Sequence, residues 1–168
     1  MLHPDIHTPT LLLDESVARR NIAWMCAKAE RHGLAFRPHF KTHQSRRVGA
    51  WFRDAGVHAI TVSSVRMARY FADDGWDDIT IAFPVNLREA EDLRRLAARV
   101  SLGVLVESPL VAHRLDALLD HDVRTWIKID TGYGRTGIPF DSTESLRATA
   151  RAVARSRHLT LAGLLTHG

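Results

Sequence analysis

Along the chain, short β-branched or apolar runs alternate with longer stretches in which apolar positions return every three to four residues. The short runs predict strands at 8–14 (TPTLLLD), 35–41 (AFRPHFK), 58–64 (HAITVSS), 78–84 (DITIAFP), 100–108 (VSLGVLVES), 123–130 (VRTWIKID) and 159–168 (LTLAGLLTHG), with helices between them. This alternation is the pattern of βα units around a parallel sheet, so the fold class is α/β. Local signals mark the helix ends. Asp14 or Ser16 can cap the first helix, whose Ile22, Met25 and Ala29 share a face and whose end is marked by Gly33. Ser108 before Pro109 is an N-cap followed by a first-turn proline. Asp141 with Glu144 three residues on resembles a capping box for the last helix. Neither a linker nor a composition shift divides the chain.

The run at 35–41 is the most informative. Period two puts Ala35, Arg37, His39 and Lys41 on one face and Phe36, Pro38 and Phe40 on the other. Such a polar row needs a polar space to face. An α/β barrel supplies one in its upper lumen, where the C-terminal strand ends build active sites, whereas an open doubly wound sheet would press the row against a helix layer. A barrel is therefore expected. Closure of that barrel needs eight strands. The run at 35–41 opens a series of about six βα units that stops on His167 and Gly168, so the chain is expected to be the N-terminal part of a longer protein, inactive alone.

Composition changes little in this picture. With 168 residues, 45% hydrophobic and 25% charged, the chain can bury one sizeable core. The net charge of +4 and pI near 9.8 invite a nucleic-acid reading, but the arginines are spread over every predicted helix and form no stripe with interleaved aromatics. No run approaches the roughly 18 apolar residues of a membrane span, and the start lacks a signal-peptide pattern. The expectations are no nucleic-acid partner, no membrane and a cytoplasmic location. Cys26, the single cysteine, has no internal partner and reads as a buried, inert thiol.

Candidate chemistry begins with Lys41. The other lysines are Lys28 and Lys128 in a chain otherwise supplied with arginine, and an amine, unlike a guanidinium, can condense with a carbonyl. Two further stretches reach the same predicted rim: IKIDTGYGRTGI (127–138), a glycine-punctuated turn holding Arg135, and LLTHG (164–168), which ends on His167. Three strands thus deliver an amine, a guanidinium and an imidazole to one mouth. His39 and His43 have a spacing that would suit zinc on a helix, but across a strand end that geometry fails, and His39 reads as a lumen histidine near the lysine. Lys128, two residues before Asp130 on the same face, is read either as a residue positioning Arg135 or as an ion-pair partner of Asp130.

Four stretches, TPTLLLD, RPHFKTH, KIDTGYGRTGI and GLLTHG, occur in an order and at separations that resemble the barrel-type pyridoxal phosphate enzymes sharing the alanine racemase N-terminal domain. The likeness is greatest to the D-threonine aldolase and D-serine dehydratase branch. It implies that Lys41 is the Schiff-base lysine, that His167 lies against the cofactor ring, and that Arg135 points at the cofactor's phenolic oxygen or the substrate carboxylate. It implies a leading strand within residues 1–14 that belongs to a β domain completed elsewhere, with 15–168 as part of the barrel. It further implies a D-amino acid substrate, a homodimer in full-length form, and a divalent metal, manganese or zinc, whose ligands lie outside this chain. The expected activity is that of a lyase on β-hydroxy D-amino acids, by retro-aldol cleavage to glycine and an aldehyde or by dehydration. Racemases resemble the chain less well, because Thr42, His43 and Gln44 follow the lysine instead of an Ala-Tyr-Gly-type run. A non-catalytic pyridoxal phosphate homeostasis protein is the alternative from another class; TPTLLLD argues against it, since those carriers usually begin with a helix.

Overall fold

A computed structural model describes residues 5–167. Strands β1 (Ala59–Val62), β2 (Asp78–Pro84), β3 (Ser101–Val106) and β4 (Val123–Asp130) pair in parallel in chain order. A two-residue β5 (Ile138–Pro139) pairs with Ile129 and Asp130 at the end of β4, and β6 (Leu159–Leu165) pairs with β4 from Val123 to Lys128. Six helices accompany the described strands: α1 (Glu15–Arg31), α2 (Arg46–Asp54), α3 (Val65–Ala72), α4 (Ala90–Ala97), α5 (Pro109–Asp116) and α6 (Thr143–Ala154). The result is an open portion of a parallel α/β barrel. Among the described residues no helix is long and apolar enough to cross a membrane.

One side of the sheet faces the helices. Ile60, Val62, Ile79, Ile81, Leu102, Val104 and Ile127 alternate along their strands and join Ala68, Phe71, Leu93, Leu96, Leu115 and Val153 from the helices in one core. A fully buried side chain of this size contributes about 1.5–3 kcal/mol relative to exposure. The other side is the lumen, and its floor is ionic. The Asp78 carboxylate accepts from Arg37 Nη1 at 2.8 Å and from the Arg124 guanidinium. Burial alone would raise the Asp78 carboxyl, but the two arginines outweigh it and hold it below its ordinary value. Above this floor Trp126 crosses against Gly103, where a Cβ would stand 2.5 Å from the indole. A side chain at 103 would force the indole and the Thr80 hydroxyl, 2.6 Å from the added Cβ, to shift.

Several sequence-based expectations need correction. The run at 35–41 is no regular strand. It keeps a parallel bridge between His39 and Thr61 and a hydrogen bond from Thr61 N to Pro38 O at 2.9 Å, then turns at once into a 3₁₀ turn, Phe40–Thr42. Pro38 has no N–H to give a ladder, which is why pairing stays so short. The run at 8–14, expected as a strand of a β domain completed elsewhere, pairs with no sheet edge among the described residues, and Leu11, Leu12 and Leu13 are exposed. Asp14 does cap α1, accepting from Val17 N at 3.0 Å, but the helix buries Ile22 with Cys26 partly covered, while Met25 is exposed. The partial burial raises the Cys26 thiol. At α6 the Thr143 amide donates to the Asp141 carbonyl, so the N-cap shifts to Ser142 and no side-chain cap forms. Ser108 and Pro109 open α5 as expected, Ser108 Oγ accepting from Val111 N. Gly168 and residues 1–4 lie outside the described residues.

Candidate active site

Phe40 sets the direction of the lysine turn. It has no exposed surface and meets Phe71 edge-on at 4.9 Å and Trp76 at 5.1 Å, with Phe52 tilted at 5.1 Å. With that ring sunk between helices and sheet, its neighbours in sequence, His39 and Lys41, line the lumen. The turn is closed by His39 itself, whose Nδ1 accepts from the Lys41 backbone N–H at 3.3 Å. Among the described residues, Lys41 Nζ makes no hydrogen bond or ion pair.

The loop after β4 is built on Asp130. Its carboxylate accepts from Gly132 N at 3.0 Å and from Gly134 N at 3.0 and 3.1 Å, and these backbone donors hold it below its ordinary value. The loop then presses Gly137 onto β4 at φ +113, where a Cβ would lie 2.8 Å from Asp130 N and from Ile129 C. Only glycine fits that approach. Between these fixed points Arg135 lies over the Phe83 ring at 5.9 Å. Two contacts tie the loop to the end of β6. Thr131 Oγ1 and Thr166 Oγ1 are 2.9 Å apart, and the Tyr133 and His167 rings stand 5.1 Å apart at 40°.

Lys41, Arg135 and His167, the three residues singled out in the sequence, therefore line one cavity of about 390 Å³, together with His39, Lys128 and Asp130. Lys128 is buried, with Nζ donating to Ile129 O at 2.9 Å, and it does not form the ion pair with Asp130 that was one of its two readings. His39 and His43 are divided between two environments. His43 packs with Phe40, Phe52 and Phe71, outside the cavity. Among the described residues no group of three or more His, Cys, Asp or Glu could hold a metal ion. The sequence reading passed over Phe83 and Tyr133, the aromatic supports of Arg135 and His167. An aromatic residue beside a strand end was the available signal.

Residues 13–168 match the model of the alanine racemase N-terminal domain. The chain belongs to that family. Within the family it is 34% identical to D-threo-3-hydroxyaspartate dehydratase of Delftia sp. (strain HT23), over 96% of this chain and 43% of the relative. It is 30% identical to 3-hydroxy-D-aspartate aldolase of Paracoccus denitrificans, over 95% of this chain and 42% of the relative. The solved Delftia structure superposes with a TM-score of 0.89 at 32% identity, covering 97% of this chain and 44% of that one. D-threonine aldolase from Filomicrobium marinum does so with 0.87 at 27%, covering 95% and 44%. The chain thus spans less than half the length of these relatives.

Proposed function

We propose that this member of the alanine racemase N-terminal domain family binds pyridoxal 5'-phosphate in the lumen cavity and serves a lyase acting on β-hydroxy D-amino acids. The reaction is retro-aldol cleavage or dehydration. The observation that carries this reading is the placement of a primary amine, Lys41, without a partner among the described residues, in a cavity whose other charged side chains are mostly cationic. That donor set fits the group: an amine for an aldehyde, with cations around it for anionic oxygens. The names of the dehydratase and aldolase relatives support the reaction class.

Bound there, pyridoxal phosphate would supply a sink for the electron pair released when a bond to Cα breaks. The residues of this chain do the rest. Lys41 would offer the amine that holds the cofactor's aldehyde group, and as a free amine it could hold or release a proton in the cavity. Arg135, supported by Phe83 and by its glycine loop, presents a planar pair of donors to a carboxylate or phenolic oxygen. His167, against Tyr133, forms the wall at the β6 end. Asp130 stays ionised because its oxygens are already engaged by backbone amides, which makes it a loop anchor and a poor proton acceptor.

The test is to incubate the protein carrying this chain with pyridoxal phosphate, reduce with borohydride and map the modified lysine. Modification of Lys41, absent in Lys41→Ala, is the expected result. Trapping on Lys128 would overturn the assignment.

A further inference from the structure

We propose that His39 is a ligand-binding residue of the cavity: a neutral imidazole locked as the Nε2–H tautomer, which donates to an anionic oxygen of the bound cofactor or substrate. The inference deepens the function proposed above and rests on the cavity being the ligand site.

The argument starts from the turn. His39 Nδ1 accepts the Lys41 backbone N–H at 3.3 Å, and an accepting ring nitrogen carries no proton. In the neutral ring the proton must then sit on Nε2. The residue has little freedom to present anything else. Its backbone bridges to Thr61, and its carbonyl accepts from Thr42 Oγ1 at 3.4 Å. The ring lines the cavity, where the charged or titratable neighbours are Arg37, Lys41, Lys128, Asp130, Tyr133, Arg135 and His167. In that cationic setting an imidazolium is disfavoured. Burial first, then Lys41 and His167, push the His39 pKa down to about 4. His39 thus adds a donor to the lumen without adding charge, and at neutral pH it has no need to lose or gain a proton to do so.

His43 provides an internal comparison. Its Nδ1 makes the same kind of bond, accepting from Ser45 N at 3.1 Å, but its Nε2 is buried among aromatic rings without a partner. One turn therefore carries two histidines with the same local bond. Only His39 has a cavity to donate into.

The first measurement is nitrogen-15 NMR of the histidines in the ligand-free protein carrying this chain. The expected result is an Nε2–H tautomer for His39 that stays neutral down to about pH 5. An Nδ1–H tautomer, or an imidazolium at pH 6, would overturn the proposal. The second uses His39→Asn, which keeps a short acceptor for the Lys41 amide and whose remaining N–H donors, on a shorter side chain, fall short of the position held by Nε2. Expected are an unchanged melting temperature and about tenfold weaker equilibrium binding of either pyridoxal phosphate or a D-amino acid, the loss associated with one charge-assisted hydrogen bond. Wild-type affinity for both would overturn it. Borohydride mapping of the wild type separates the two readings. No trapping at any lysine removes the cofactor assignment, while the tautomer, read without ligand, still decides the state of His39.

Discussion

Gly137→Ala probes whether the loop carrying Arg135 is held by backbone contact with β4. Two costs arise in the structure. The residue sits at φ +113, where an L side chain is strained by about 1–2 kcal/mol. Its Cβ would also fall 2.8 Å from Asp130 N and Ile129 C and 3.0 Å from Lys128 O, all backbone atoms of a paired strand that cannot rotate away. Forcing an atom into such a site typically costs a further ~1–3 kcal/mol, for a sum of roughly 2–5 kcal/mol. Gly134→Ala is the matched control. It lies at φ +69 with nothing within 4 Å of the added Cβ, so it should cost only the conformational ~1–2 kcal/mol. Urea unfolding of both variants in the protein carrying this chain gives the difference directly, and that difference isolates the clash. At about 2–4 °C per kcal/mol for a domain of this size, Gly137→Ala should melt lower than Gly134→Ala by several degrees. If the loop lifts instead, the β5 pairing is lost and Arg135 leaves Phe83, so pyridoxal phosphate affinity falls in place of the melting temperature. Equal stability and equal affinity in the two variants would refute the account of the loop.

Arg135→Lys should lower catalytic efficiency at least ~10-fold, because a point charge on a flexible stem does not reproduce a planar two-donor contact; unchanged kinetics would remove Arg135 from the site. Phe40→Ala should cost about 3–5 kcal/mol in denaturant unfolding, since the ring is wholly buried and its removal leaves a cavity among Phe52, Phe71 and Trp76. Asp78→Asn should cost roughly 2–3 kcal/mol at neutral pH, less than a fully buried pair, by leaving Arg37 and Arg124 without their counter-ion. The same carboxylate sets a pH dependence. Its folded value lies below the ordinary 3.8, so its contribution is complete above about pH 4 and is lost as pH falls through the folded value. Acid titration of stability should show that limb in the wild type and a flatter one in Asp78→Asn.

Much of this protein follows from local sequence alone. The alternation of apolar runs with helical periodicity suffices for a parallel α/β sheet, because burial imposes period two on strands and 3.6 on helices wherever they pack. The face shared by Arg37, His39 and Lys41 was legible for the same reason, even though the segment is a bridge and a turn and forms no regular strand. Lys41, Arg135 and His167 could each be singled out from residue type and position at a strand end. Their convergence on one cavity depends on the parallel pairing of β4 with β6 and on the lysine turn bridging to β1, and such pairings join residues too far apart in sequence for any local pattern to register. The same holds for the ionic floor. Asp78 meets Arg37 and Arg124 across separations of 41 and 46 residues, which a run of charges in sequence does not announce. Tertiary contact also removed the ion-pair reading of Lys128 and separated the two histidines. The Asp130 carboxylate takes its hydrogen bonds from glycine amides while the Lys128 ammonium donates to Ile129 O, and a ring lodged among aromatics lines no cavity. Sequence determined which chemical groups stand at the ends of which strands; packing determined which of those groups share one cavity, because only the folded arrangement sets the distances and the burial on which their chemistry depends.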